Sequence, residues 1–151
     1  MPPKVAEVLR GVDLILHAGD IHESSALDWL EAVAPVLAAK GNWDYDMTHD
    51  PRVKDVQLLD IEGLRLAVVH FIHYPEPSWR PLEQSMDLLF GGPVDVIVFG
   101  DTHLPVVERC KGVLVVNPGS PTEPWGLTNP GTVGILEIAQ GKAEARIVEL
   151  R

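Results

Sequence analysis

Residues 12–20, Val12-Asp13-Leu14-Ile15-Leu16-His17-Ala18-Gly19-Asp20, form a short, mostly apolar run that stops abruptly at a glycine followed by an acid. A run of this length with turn signals at both ends predicts a buried strand of a sheet covered on both faces. Its carboxylate then falls at the strand's C-terminal edge. Open α/β sheets gather their chemistry along that edge, so other strands ending there matter most.

The residues before this run constrain the topology further. Residues 2–10 have prolines suited to a first helical turn, an apolar face of Val5, Val8 and Leu9, and Gly11 as a stop. A helix leading straight into a buried strand is the second half of a βαβ unit, and the strand that should come first is absent. Met1 is therefore expected to be an internal start, with about a strand's length and a loop upstream. A sheet position left empty would expose strand edges and apolar surface, which predicts a homo-oligomer or poor solubility.

Downstream, Ser24 or Ser25 is placed to cap a helix over 26–34, which Pro35 ends. Residues 36–40 predict a short strand, and polar residues 45–51 a surface loop. Residues 56–61 and 64–70, around Glu62-Gly63, predict a β-hairpin. The proline-rich stretch 71–80 predicts an irregular loop, and 82–90 a helix stopped by Gly91. Residues 94–99 and 113–116 predict two more buried strands, and 133–138 and 143–150 a final pair.

The bulk numbers narrow the class of protein. At 151 residues the chain is expected to be a single domain spanning 1–151. The 22 acidic against 12 basic residues give a net charge of -10, which argues against long nucleic acid as a partner. No apolar stretch approaches the roughly 20 residues that cross a bilayer, so no membrane partner is expected. The single Cys110 excludes an internal disulfide and points to the reducing cytoplasm.

Four apolar runs end in metal-competent groups: Asp20, Asn42, His70, and Asp101 with His103. Glycine precedes Asp20, Asn42 and Asp101, where it is expected to let the backbone turn sharply and aim the next side chain over the sheet. A mixed oxygen and nitrogen set without thiolates suits Mn²⁺, Fe²⁺, Zn²⁺ or Mg²⁺. Around these residues, Asp44 is expected to brace its turn, His17 to pack or bond to backbone, and 117–120 to shape a turn. His73, Trp79 and Trp125 are candidates for the rim.

Gly19-Asp20, Gly41-Asn42-Trp43-Asp44, His70, Gly100-Asp101-Thr102-His103 and Asn117-Pro118-Gly119-Ser120 resemble, in order and spacing, the motif series of the calcineurin-like metallophosphoesterases. The branch resembled is the small single-domain phosphodiesterases, which also include the phosphodiesterase-like subunit of retromer. The resemblance implies an α/β fold, a two-sheet β sandwich flanked by helices (αββα), here without the usual first strand.

It also implies two divalent ions, with Mn²⁺ the first expectation. Asp20 would bridge them, Asn42, His70 and Asp101 would hold one, and His103 the other. The activity implied is hydrolysis of a small phosphate ester, diester or monoester, by a metal-activated water, with Asp20, Asn42, His70 and His103 as its catalytic residues. The family's first Asp-x-His motif is missing and Asp101 stands where His is usual. The His103 ion keeps only Asp20 and His103, so a single-ion site, or a module that binds protein or phosphate without turnover, is the alternative.

Overall fold

The computed structural model describes residues 1–124 and 130–151. Its elements run in the order α1 (Pro3–Val8), β1 (Ile15–His17), α2 (Ser24–Glu31), β2 (Val36–Ala39), a 3-10 turn (Tyr45–His49), β3 (Val53–Lys54), β4 (Val56–Ile61), β5 (Leu64–Val69), α3 (Leu82–Phe90), β6 (Val96–Val98), β7 (Val106–Cys110), β8 (Val113–Asn117), β9 (Thr132–Ala139) and β10 (Lys142–Glu149).

Four layers result. A five-stranded sheet, β4-β5-β6-β8-β7, has parallel central strands and an antiparallel strand at each edge. On one face it carries α3, through Leu82, Met86 and Phe90 against Ala67, Ile97 and Val115. Its other face meets a second strand layer, with Leu66, Val96, Val98 and Val116 packed against Leu16, Leu136, Ile138 and Ala143. Beyond that layer lie α1 and α2, where Val5, Leu27 and Leu30 pack with Ile15, Val36 and Val133. The αββα order expected from the resemblance is present.

The second layer differs from a continuous sheet. Parallel β1-β2-β3 and antiparallel β9-β10 are separate sheets that share the same faces without hydrogen-bonding each other. This explains why the first apolar run is less buried than its composition predicts. Only Ile15–His17 is strand and only Ile15 is fully buried, while Leu14 and Leu16 are half-buried beside the gap.

Other boundaries shift for local reasons. Helix α2 begins at Ser24 with Glu23 as its cap and no side-chain capping bond, and it ends before Pro35, whose ring disfavours helical geometry in the preceding residue. The stretch expected as a polar loop after Asp44 is a 3-10 turn anchored by buried Met47. Strand β3 is only two residues long and β7 carries Glu108 and Arg109 without alternation, so neither announces itself; their partners β2 and β8 define them. The hairpin and α3 match expectation, the latter closed by Gly91 at φ 71°.

Candidate metal centre

Four strand ends supply the site. β1 runs into Gly19-Asp20, β2 into Gly41-Asn42, and β5 into His70, while Asp101 and His103 follow β6. The loops are drawn into an unusual backbone. Asp20 (φ 55°), His22 (φ 65°), Asp101 (φ 62°) and His103 (φ 57°) are non-glycine residues in the left-handed region. Such conformations cost free energy and persist only where surrounding contacts enforce them.

The glycines serve in two ways. Gly19 needs its φ of 97°. Gly41 and Gly100 do not turn by positive φ; they are required by close approach. A Cβ on Gly41 would sit 2.0 Å from the Asp20 amide nitrogen, and one on Gly100 would sit 2.8 Å from the Ala18 carbonyl. The expected sharp turns are thus partly tight contacts between neighbouring strand ends, a relationship across the sheet that no single glycine announces.

Two buried side chains hold the loops together. Asp44 accepts from three backbone amides, Ile21 at 2.7 Å, His22 at 3.0 Å and Gly41 at 2.7 Å, tying the loop after β1 to the loop after β2. Asn117, fully buried, donates to the Gly100 carbonyl and to Thr102 Oγ1 and accepts from the Gly119 amide. It does the same for the loop after β6. His17 accepts from the Gly19 amide at Nδ1, and burial holds its imidazole below the ordinary range against the pull of the Asp44 and Asp20 carboxylates.

At the centre is His70, 5% exposed. Its Nδ1 donates to the Ala18 carbonyl at 2.7 Å, which leaves Nε2 as the ring nitrogen turned toward the site. That buried Nε2 has no hydrogen-bond partner; it faces Asp20 Oδ2 at 3.5 Å and Asp101 Oδ1 at 3.3 Å. Asn42 donates to Asp101 Oδ1 at 3.1 Å, and the Trp43 amide to Asp20 Oδ1 at 3.4 Å. An imidazole nitrogen and two carboxylates converging in this way form a donor set suited to a divalent cation. A ring nitrogen fixed by a carbonyl on its far side is the usual arrangement of a ligating histidine.

Asp20, Asn42, His70 and Asp101 therefore lie together. His103 borders the same cleft as Asp20, His70 and Asp101, but no polar contact joins it to them among the described residues. Nor do the described residues contain a group of three or more His, Cys, Asp or Glu side chains already positioned around one metal point. The convergence on His70 Nε2 is pairwise.

Aromatic side chains stand in the loops after β2 and β5. Trp43 and Trp79 are 65% and 64% exposed, and His73 packs edge-on between Phe71 and Trp79. Trp125 lies outside the described residues. A polar pocket of about 350 Å³ adjoins Trp43 and Asp44 and includes His22 and His49, both of which are exposed.

The sequence matches the Calcineurin-like phosphoesterase superfamily domain over residues 1–141. The chain belongs to that superfamily. A probable metallophosphoesterase of Methanothermobacter thermautotrophicus is 36% identical over 149 residues, covering 98% of this chain and 82% of the relative. One from Methanocaldococcus jannaschii, MJ0623, is 37% identical and is covered over 61% of its length, so this chain spans less than two thirds of that relative.

Solved structures agree on the fold. Vps29 of Entamoeba histolytica superposes with a TM-score of 0.71 at 18% identity, covering 98% of this chain and 89% of that one. A structure described as a novel archaeal phosphodiesterase gives 0.67 at 24% identity, covering 96% and 90%. In this calcineurin-like phosphoesterase no helix among the described residues is long and apolar enough to cross a membrane.

Proposed function

We propose that the chain is a metal-dependent phosphoesterase that hydrolyses small phosphate esters with water, a phosphodiester or a phosphomonoester. The observation that carries this reading is the unpartnered, buried Nε2 of His70 facing the Asp20 and Asp101 carboxylates. Membership of the superfamily and the hydrolase names of its relatives support it.

Asp20, His70 and Asp101 would hold a divalent ion, Mn²⁺ first and Fe²⁺, Zn²⁺ or Mg²⁺ as alternatives, with His103 and Asp20 the remnant of a second position. Such an ion supplies an acidified water and offsets charge on the phosphorus oxygens. The Ala18 carbonyl orients His70, and Asn42 steadies Asp101 while leaving its own carbonyl free. Trp43 and Trp79, exposed in neighbouring loops, offer apolar surface for an ester's organic group. The -10 charge favours a small ester over long nucleic acid, and the lone Cys110 suits a reducing cytoplasm.

A second reading, a module that binds phosphate or protein without turnover, is favoured by the isolation of His103 from the other four residues. Mn²⁺-supplemented hydrolysis of a chromogenic phosphodiester separates the two. Turnover that falls about 100-fold or more in Asp20→Asn, with weakened Mn²⁺ uptake, is the expected result. No turnover, together with Mn²⁺ uptake unchanged by Asp20→Asn, overturns the enzyme reading.

A further inference from the structure

The loop that leaves β2 is fixed at three consecutive residues. Asn42 donates to Asp101 Oδ1 at 3.1 Å, the Trp43 amide donates to Asp20 Oδ1 at 3.4 Å, and Asp44 accepts from the Gly41 amide at 2.7 Å. Trp43 is therefore held by its backbone against the metal centre, yet its side chain is 65% exposed and belongs to none of the three apolar cores. Tryptophan is highly buried on average, because an indole left in water forfeits a large hydrophobic gain.

Its surroundings follow the same pattern. The four exposed aromatic side chains among the described residues are Trp43, Tyr45, Phe71 and Trp79, and all stand in the two loops that begin at Asn42 and His70. Trp43 walls the polar pocket of about 350 Å³, whose one other apolar lining residue is Met47. His22 lines both this pocket and the cleft that holds Asp20, His70 and Asp101, so pocket and centre adjoin.

The pocket's charges narrow the occupant. Its carboxylates are Glu23, Asp44, Asp46 and Asp50, and neither Lys nor Arg lines it. Asp44 is committed to three amides and Asp50 to Arg52, which leaves Glu23 and Asp46 exposed as acceptors. A second phosphate on the substrate would be repelled there. An alkyl chain would cover polar groups that it cannot bond. A nucleobase matches both parts of the lining, with flat apolar faces to stack on an indole and amino edges to donate to a carboxylate.

We propose that Trp43 is a specificity-determining residue, its ring stacking on the base of a small nucleoside phosphodiester whose phosphate is held at the metal centre. The proposal rests on the phosphoesterase reading and narrows it: one alcohol of the ester is a nucleoside carrying no further phosphate. A volume of about 350 Å³ falls within the roughly 300–1,000 Å³ usual for small-molecule sites. Because the Trp43 backbone is bonded to Asp20 and flanked by Asn42, a base stacked on its ring is positioned by the same loop that builds the centre.

The test compares the p-nitrophenyl esters of adenosine 5′-phosphate, ethyl phosphate and phosphocholine, with Mn²⁺, on wild type, Trp43→Ala and Trp43→Phe. All three release the same leaving group, so only the retained alcohol differs. In Trp43→Ala, kcat/KM for the adenosine ester is expected to fall at least about 10-fold relative to the ethyl ester, through KM, and Trp43→Phe should restore most of it. An unchanged ratio overturns the proposal. So does a larger fall for the choline ester, which would mark a site for a quaternary ammonium group instead.

Adenosine alone, which has no phosphate and needs no ion, separates this proposal from the reading beneath it. A saturable shift of the Trp43 indole resonance in NMR, larger than that of Trp29, is expected whether or not any ester turns over. That shift without turnover of any ester defeats the phosphoesterase reading and keeps the base site. Ester hydrolysis without the shift keeps the phosphoesterase and overturns the role of Trp43.

Discussion

The two strand layers are made from similar residues and held together differently. In the five-stranded sheet, β5, β6 and β8 are paired on both sides; every residue of β6 and β8 is buried, and the backbone ladder is closed except at its edges. In the other layer β1 and β9 each lack one neighbour, and the connections are made by side chains. Asp44 ties strand ends, Arg52 joins Asp50 to Asp28 and Glu31 of α2, and buried Gln57 donates to the Ala38 and Arg52 carbonyls. Polar ties reinforce the β1-β2-β3 half of that layer, and the candidate metal centre draws Asp20 and Asn42 from its strand ends and His70, Asp101 and His103 from the closed sheet.

Core truncation should expose this asymmetry most strongly. Ile97→Ala, at a fully buried position between paired strands, is expected to cost about 2–5 kcal/mol, whereas Leu136→Ala at the cleft should cost about 1 kcal/mol or less, both by urea unfolding. Comparable losses would mean the cleft wall is packed as tightly as the closed sheet. Asp44→Asn removes the charge that three backbone amides share and should cost about 2 kcal/mol while loosening Mn²⁺ uptake at the neighbouring loops.

Native-state hydrogen exchange draws the comparison without mutation. Amides of Val115 and Val116 should exchange only through global unfolding, and that of Leu136 by local opening. Acid should touch the polar ties last and least. Hydrogen bonding to Arg52 holds the Asp50 carboxyl below its ordinary range, so its contribution is present above an unfolded value near ~3.9 and is lost as pH falls toward the lower folded value. Asp50→Asn should flatten that acid limb, measured as the urea midpoint against pH.

Much of the fold could be read from local pattern. The Glu62-Gly63 hairpin, α3 and the buried runs of β6 and β8 follow from periodicity and turn chemistry acting within a few residues. β3 and β7 were illegible because their strand character comes from neighbours, and α2 was misplaced because a serine able to cap does so only when the backbone puts it at the cap. Of the candidate site, the ordered set of Asp20, Asn42, His70, Asp101 and His103 stood out by spacing. That His70 would present an unpartnered Nε2 to two carboxylates did not, since it depends on the Ala18 carbonyl taking the other ring nitrogen.

By itself, then, the sequence determined which groups stand at strand ends and that a helix leads straight into β1. Both are properties of consecutive residues and of the handedness of L-chains. Tertiary structure alone decided which of those groups meet, that Gly41 and Gly100 are needed for closeness, and that two strand edges face each other across an apolar gap. These are relations between segments far apart in the chain, set by packing, and packing has no local code.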